Sequence, residues 1–441
     1  VTAPLRVLVV HNRYRSGQPS GEDRVVDRDV ELLTAGGHAV ERYERRSDDI
    51  AALPLAHRAA VPLLVPWNPA VRADLRARLR ASAPDVVHVH NVFPLLSASV
   101  VAACADEGVP VVATLHNYLQ VCPSGTLHRD GGPCRACVGR SPLPAVAHGC
   151  YRGSRIATVP LAIGHAVNRR RWWDGVDTFL CISAAQRREL VDAGMPAGKL
   201  VVRHNVVPEP AQRRAGPGEH VLFLGRLTAE KGVPLLMAAW DEIAASGGIG
   251  LPLVLAGAGP LEAQVRAWAA GRDDVRFHGL LDAGACATLT ARAAAVAVPS
   301  TWLEAFGLVV VEAMAAGVPV VAAGHGAPAE LVDDGVTGLL HGPGDAGSLA
   351  AALRAAVADP DRNAAMGEAG RRRYEAGFTP AAGLDALERC YREAVARGRG
   401  SGHRGRGDQG TAGRGSGRRS LPMPRVADVT VRPTSQPPSR P

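Results

Sequence analysis

PSTWLEAFGLVVVEAMAAGVPVV, residues 299–321, is the stretch whose reading decides the fold. A short β-branched run, Val296 to Val298, leads into a loop that carries Glu304 and the small turn Ala305-Phe306-Gly307. From Leu308 to Ala316 the residues are apolar at helical length, and Gly317 stops them before a second strand-like run from Val318 to Ala322. Strand, loop, helix and strand in this order form a βαβ unit on a parallel sheet. If Leu308 opens a helix, the amides of Gly307, Leu308 and Val309 are its unpaired amino-terminal donors. With the helix dipole behind them they form a site for a phosphate. Eight helical residues span about 12 Å, so Glu304 and Glu312 can hold opposite ends of a sugar diphosphate nucleotide lying across the helix start. Glu304 reads equally well as a solvated carboxylate. Glu312 stands among Val309, Val310, Val311 and Met314, and a carboxylate buried there needs a partner.

The same rhythm extends in both directions. Towards the amino terminus, strands are expected at Val275 to His278, Leu253 to Ala256 and Val221 to Leu224, with helices at Ala283 to Arg292, Leu261 to Ala270 and Pro234 to Ala245. Beyond Ala322 come helices at Ser348 to Ala358, Asp361 to Glu375 and Ala381 to Arg397. The polar, Pro-, Gly- and Arg-rich residues 207–218 read as a linker. Before them a second series alternates strands at Leu5 to Val10, His38 to Arg42, Val86 to His90, Val111 to Leu115, Thr178 to Ile182 and Leu200 to Arg203 with helices at Asp23 to Thr34, Arg72 to Ala81, Pro94 to Glu107, Arg155 to Trp173 and Ala185 to Ala193. The expectation is an α/β chain of two Rossmann-like, doubly wound domains facing a central cleft. Residues 1–206 form the first, with a Cys-rich insert at 117–155, and 219–380 the second, closed by a helix at 381–397. The Arg/Gly/Pro-rich residues 398–441 are expected to be disordered.

The 441 residues are 46% hydrophobic and 4% aromatic, enough for sizeable cores built from Ala, Val and Leu. The chain carries 50 Lys and Arg against 42 Asp and Glu, a net charge of +8. Nine Arg and two Asp after Arg397 account for +7 of it. The body is therefore nearly neutral, and nothing outside the tail signals a nucleic-acid groove. No apolar run approaches membrane-spanning length and no signal-peptide pattern precedes Leu5. A cytoplasmic protein is expected, with peripheral contact at the inner face of the membrane left open.

Lys199 and Lys231 are the only lysines, so a Lys in a motif stands out. Gly225-Arg226-Leu227-Thr228-Ala229-Glu230-Lys231-Gly232 follows a strand directly, at the carboxyl end where parallel sheets bind ligands. Two cations there can neutralise the two phosphates of a departing nucleotide. By itself the segment also reads as an ordinary capped turn. The Gly257-Ala258-Gly259-Pro260 loop after the next strand permits close backbone approach.

GRLTAEKG, AGAGP, FHGLL and PSTWLEAFGLVVVEAMAAGVPVVA, in this order, resemble the retaining nucleotide-sugar glycosyltransferases of family 4, which share the two-domain GT-B fold. The resemblance implies that Arg226 and Lys231 contact the diphosphate, that Glu312 holds the ribose hydroxyls and Glu304 those of the donor sugar, and that residues near His278 to Leu280 hold the base. It extends to the amino-terminal half through Ser20-Gly21-Glu22, where Gly21 matches a Gly-rich turn approaching the phosphates, and through His116, which matches a His near the transferred sugar. Its alternative reading is a loop-capping His. The expected donor-binding set is thus Gly21, Arg226, Lys231, Phe306, Gly307, Leu308, Val309 and Glu312, with His116 and Glu304 catalytic. His88 and His90 share a strand face and are expected to pair structurally.

Cys122, Cys134, Cys137 and Cys150 form C-x11-C-x2-C-x12-C in the insert. Four thiols around a central C-x-x-C suit a structural zinc, while disulfides, a redox role and free buried thiols are the other readings. The leading expectation is a retaining transferase that takes a sugar from a nucleotide-diphosphate donor to a glycan, lipid-linked or small-molecule hydroxyl, with no metal or other cofactor required for the chemistry. The alternative is a nucleic-acid or anionic-surface binder acting through the tail, its GT-B body silent. A GT-B epimerase or phosphorylase has no motif in its favour.

Overall fold

The computed structural model describes residues 3–17 and 20–402. The strands are β1 (Arg6–Arg13), β2 (Ala39–Arg46), β3 (Val86–Val89), β4 (Val111–Leu115), β5 (His128–Arg129), β6 (Gly132–Pro133), β7 (Thr178–Cys181), β8 (Leu200–Val202), β9 (His220–Leu224), β10 (Leu253–Ala256), β11 (Val275–Phe277), β12 (Ala293–Val298), β13 (Val320–Ala323) and β14 (Gly338–His341). The helices are α1 (Gly21–Ala35), α2 (Asp49–Ala52), α3 (Leu55–Leu64), α4 (Pro69–Ser82), α5 (Ser99–Glu107), α6 (Leu143–Ala147), α7 (Arg155–Gly175), α8 (Ala184–Asp192), α9 (Val233–Ala245), α10 (Glu262–Ala269), α11 (Ala283–Ala291), α12 (Leu308–Ala316), α13 (Pro328–Leu331), α14 (Ala346–Val357), α15 (Pro360–Gly377) and α16 (Pro380–Gly402).

Two six-stranded sheets result, ordered β2-β1-β3-β4-β7-β8 and β11-β10-β9-β12-β13-β14, and every pair within them is parallel. Central strands are covered on both faces and read as unbroken apolar runs: AAAVAV in β12 and VVAA in β13 are buried throughout. Each sheet reverses direction once, between β1 and β3 and between β9 and β12. A crevice opens at the carboxyl ends of the strands at such a reversal, and the candidate site lies at these two.

The last helix returns to the first sheet. Leu387, Cys390, Tyr391 and Ala394 of α16 pack with Val7, Val9, Val86 and Val112, and the Tyr391 hydroxyl bonds His88 Nδ1 at 2.7 Å. This helix, distant in sequence from the strands it covers, therefore completes the amino-terminal core. It continues five residues beyond Arg397; the rest of the stretch expected to be disordered lies outside the described residues. Helix α5 starts at Ser99, later than Pro94. Side chains hold the intervening residues as a turn: Asn68 donates to the Leu95 carbonyl at 2.8 Å, and the Leu95 amide donates to Asn12 Oδ1 at 3.2 Å. Such bonds compete with helix formation.

Candidate active site

The loop after β9 and the loop after β12 meet at one crevice. Gly232 and Pro299 bring them together so closely that a Cβ on Gly232 would stand 1.9 Å from the Pro299 oxygen, and Thr301 N donates to the Glu230 carbonyl at 3.0 Å. The loop after β10 closes the same edge. A Cβ on Gly257, whose φ is +148°, would lie 1.8 Å from the Gly225 oxygen, so only glycine allows this approach.

Lys231 and Glu304 form an ion pair here, and Ser300 Oγ donates to the other Glu304 oxygen at 2.6 Å. Glu304 is buried. Burial raises its pKa, but the Lys231 charge and hydrogen bond, the Ser300 hydroxyl and the Arg226 charge outweigh that, holding the carboxyl below its ordinary range. It is thus an ionised acceptor, and the solvated reading of Glu304 does not describe it. An ammonium has three donors, so the Glu304 bond leaves Lys231 two. Arg226 is exposed and pairs with Glu230 at 3.3 Å.

Helix α12 is preceded by its capping residue Gly307, in the left-handed region at φ 93°, and no side chain caps it. The start of α1 stands against it: a Cβ on Gly21 would be 3.2 Å from Leu308 Cδ1. Further along the two helices, Arg24 Nη1 reaches Glu312 Oε1 at 3.3 Å. Glu312 is half-buried rather than enclosed by its valine neighbours, and its partner comes from the other half of the chain. The Phe306 ring is buried against His204 and Phe378, so of this residue the backbone is what the loop can offer a ligand. Two helix starts, an ammonium and a guanidinium therefore border one region, an arrangement that attracts a multiply charged phosphate.

In the amino-terminal half, His116 follows β4 and hydrogen-bonds through Nε2 to His90 Nδ1 at 2.9 Å, the rings stacked at 5.2 Å. Burial, with the charges of His11 and Arg203, pushes the His116 pKa down to about 3, so this imidazole is neutral near pH 7. His88 is held by Thr114 Oγ1 at 2.7 Å and by Tyr391, the structural pairing expected of it, whereas His90 turns to His116. The spacing of His88 and His90 hinted at a shared face but not at this division. Sequence reasoning also missed Glu330, which accepts from the Ala184 and Ala185 amides at 3.0 and 2.6 Å and meets His204 at 3.1 Å, tying the two halves. It missed Tyr14 as well, whose hydroxyl donates to Glu22 at 3.0 Å. Burial pushes the Glu22 carboxyl up to about 8. Neither Glu330 nor Tyr14 has a local sequence signal.

Cys122, Cys134, Cys137 and Cys150 line one small cavity of about 20 Å³ together with Ser124, His128 and Arg129. All four are free thiols. Among the described residues, however, the group whose ligand atoms all lie within 4.8 Å of one another is Asp29, His88 and His90. Asp29 is engaged by both Arg203 nitrogens at 2.6 and 3.0 Å and His88 through both ring nitrogens, whereas His90 is bonded through Nδ1 and its buried Nε2 has no partner. The thiols suit zinc in kind and in sharing a cavity, and would have to draw together to sit about 2.3 Å from a common ion. The insert also touches the loop after β12: His128 Nε2 lies 3.5 Å from Thr301 Oγ1. Elsewhere, an open depression of about 660 Å³ runs along α10; its charged side chains, Glu262 and Arg266, pair with each other at 2.9 Å.

Two family models match the chain, Glycosyltransferase Family 4 over residues 21–209 and Glycosyl transferases group 1 over residues 209–373. Glycogen synthase of Mycobacterium tuberculosis (strain ATCC 25618 / H37Rv) is 31% identical over 323 residues, covering 70% of this chain and 69% of the relative. Phosphatidyl-myo-inositol mannosyltransferase of Mycobacterium leprae (strain TN) is 28% identical over 389 residues, covering 82% and 91%. The fold is that of Anabaena Alr3699/HepE in complex with UDP, with a TM-score of 0.60 at 20% identity over 87% of this chain and 99% of that one.

Proposed function

The chain belongs to the group 1 glycosyltransferases with a family 4 amino-terminal half, and on that premise we propose that it moves a sugar, with retention, from a nucleotide-diphosphate donor to an acceptor hydroxyl. The observation that carries the reading is the meeting of the α1 and α12 starts beside Lys231, Glu304 and Arg226. In this reading the half after residue 219 holds the donor. The amides of Gly307 to Val309 with Arg226 and Lys231 take the diphosphate, Glu312 takes the ribose and Glu304 the donor-sugar hydroxyls. The half before residue 206 presents the acceptor near His116, with residues 207–218 as linker. Relatives named for glycogen and for phosphatidyl-myo-inositol support keeping glycan and lipid acceptors together with small molecules.

In the proposed step the bond from the sugar C1 to the phosphate oxygen breaks and a bond from C1 to the acceptor oxygen forms on the same face. The acceptor proton passes to the departing phosphate oxygen. The cations and helix amides stabilise the charge that develops on the diphosphate, interactions that grow as the bond lengthens. Neutral His116 can donate one hydrogen bond without repelling the cations. A structural zinc held by the four insert thiols and a peripheral membrane contact are part of the same proposal; neither is needed for the bond exchange.

Screening UDP-, GDP- and ADP-sugars for protection against thermal unfolding identifies the donor, because a ligand of the native state raises its stability by mass action. The anomeric configuration of the product then reports retention. Protection by no nucleotide sugar, or an inverted product, contradicts the reading.

A further inference from the structure

Helix α7 carries an apolar stripe that no other described residue covers. Ile156, Val159, Ile163 and Val167 are 86, 39, 47 and 61% exposed and follow at three- and four-residue intervals, one face of a helix of about 31 Å. The opposite stripe, Thr158, Leu161, Ala162 and Asn168, is buried. Helix α3 lies beside it, joined where Asn168 Nδ2 donates to the Pro66 carbonyl at 2.6 Å, and exposes Leu55 and Leu63 at 80 and 77%. Helix α6 adds an exposed Leu143. Scattered single hydrophobics are ordinary on a surface; a group of this size on adjoining helices marks an interaction face.

Charge says what covers it. Residues 131–173 contain seven Arg and no Asp or Glu, and residues 51–71 contain Arg58 and no acid. Arg152 and Arg155 are exposed at one end of the stripe, Arg170 and Arg171 at the other. A second copy of this face would bring like charges together, which disfavours self-association. An apolar stripe flanked by arginines fits a negatively charged lipid surface, where the side chains enter the acyl boundary and the guanidiniums meet phosphates. No described helix is long and apolar enough to cross a membrane, and α7 must keep its buried face on the protein.

We propose that α3, α6 and α7 form a face that lies flat on an anionic bilayer. This deepens the membrane contact included in the proposed function, and its test reads binding, not turnover, so its failure leaves the transfer reading standing. The full chain is sedimented with phosphatidylcholine vesicles with and without phosphatidylglycerol, at low and physiological salt. The expected result is binding that requires phosphatidylglycerol and weakens at least about tenfold in Ile156→Ser/Ile163→Ser/Val167→Ser. The three positions are exposed, so the variant keeps its unfolding temperature; Arg155→Ser/Arg170→Ser, which leaves the stripe intact, weakens binding more at low salt than at high. Absence of binding overturns the proposal. So does a triple variant that binds like its parent, which assigns the contact to the cationic tail. A dimer in light scattering that the triple variant converts to monomer overturns it in favour of a protein interface.

Discussion

Replacing Lys231 with alanine separates what the ammonium does for the fold from what it does for the reaction. Its side chain is 21% exposed and that of Glu304 7%, so removal strands a carboxylate inside the crevice with only Ser300 in direct contact. Breaking a buried pair from one side costs on the order of 3 kcal/mol. In the parent, the Glu304 pKa lies below its ordinary value of 4.5; the carboxylate thus contributes stability above the unfolded pKa, lost as pH falls through the folded one. In Lys231→Ala burial acts without its main counterweight and the folded pKa rises above the unfolded value, reversing the sign. The difference in unfolding free energy between parent and variant, from urea titrations across pH 4 to 8, is therefore expected to be largest near neutrality and to narrow on acidification. Adding Glu304→Gln to Lys231→Ala removes the stranded charge and recovers most of the lost stability. Turnover is expected to fall at least about a hundredfold in both variants, because both lack the cation proposed to meet the leaving diphosphate. A Lys231→Ala protein as stable as the parent, or a gap constant with pH, would refute the reasoning.

Glu312→Gln touches a half-exposed pair, so stability should change by no more than about 0.5 kcal/mol, while the donor KM rises about tenfold; calorimetry and initial rates check both. The buried imidazoles of His88, His90 and His116 all have lowered pKa values, so the native state resists protons that the unfolded chain binds. Their stabilisation is complete above the ordinary 6.5 and is lost on acidification towards the folded values, each by up to about 1.4 kcal/mol per pH unit; His90→Asn should flatten that slope in pH-dependent unfolding. Purified protein should carry about one zinc per chain by elemental analysis, and Cys137→Ser should release it and lower the unfolding temperature; a metal-free protein of unchanged stability refutes that role. Truncation after Gly402 should leave turnover with a water-soluble acceptor unaltered.

The two sheets were legible because their inner strands are buried on both faces, and Val- and Ala-rich runs such as Val111–Leu115 have few other places to go. Strand β14 was missed: GLLH is four residues long, opens on glycine and follows a turn, so its membership depends on pairing with β13. The carboxylate and the cation of the crevice could be named because each sits beside a Gly-marked turn. Their direct pairing could not, since Lys231 and Glu304 are brought together by the contact of two strand-end loops. The same holds more strongly for Arg24 with Glu312, Glu330 with the start of α8, and His90 with His116, whose partners depend on how sheets and halves dock. The burial expected for Glu312 failed because a helix flanked by valines still has one side facing the cleft, where α1 supplies an arginine.

A diffraction experiment on crystals grown with a nucleoside diphosphate addresses the central claim most directly. The account predicts phosphate oxygens within hydrogen-bonding distance of the Gly307 to Val309 amides, Arg226 and Lys231, with the ribose at Glu312. A diphosphate bound along α10, or anywhere that leaves the α12 start and both cations untouched, would contradict it.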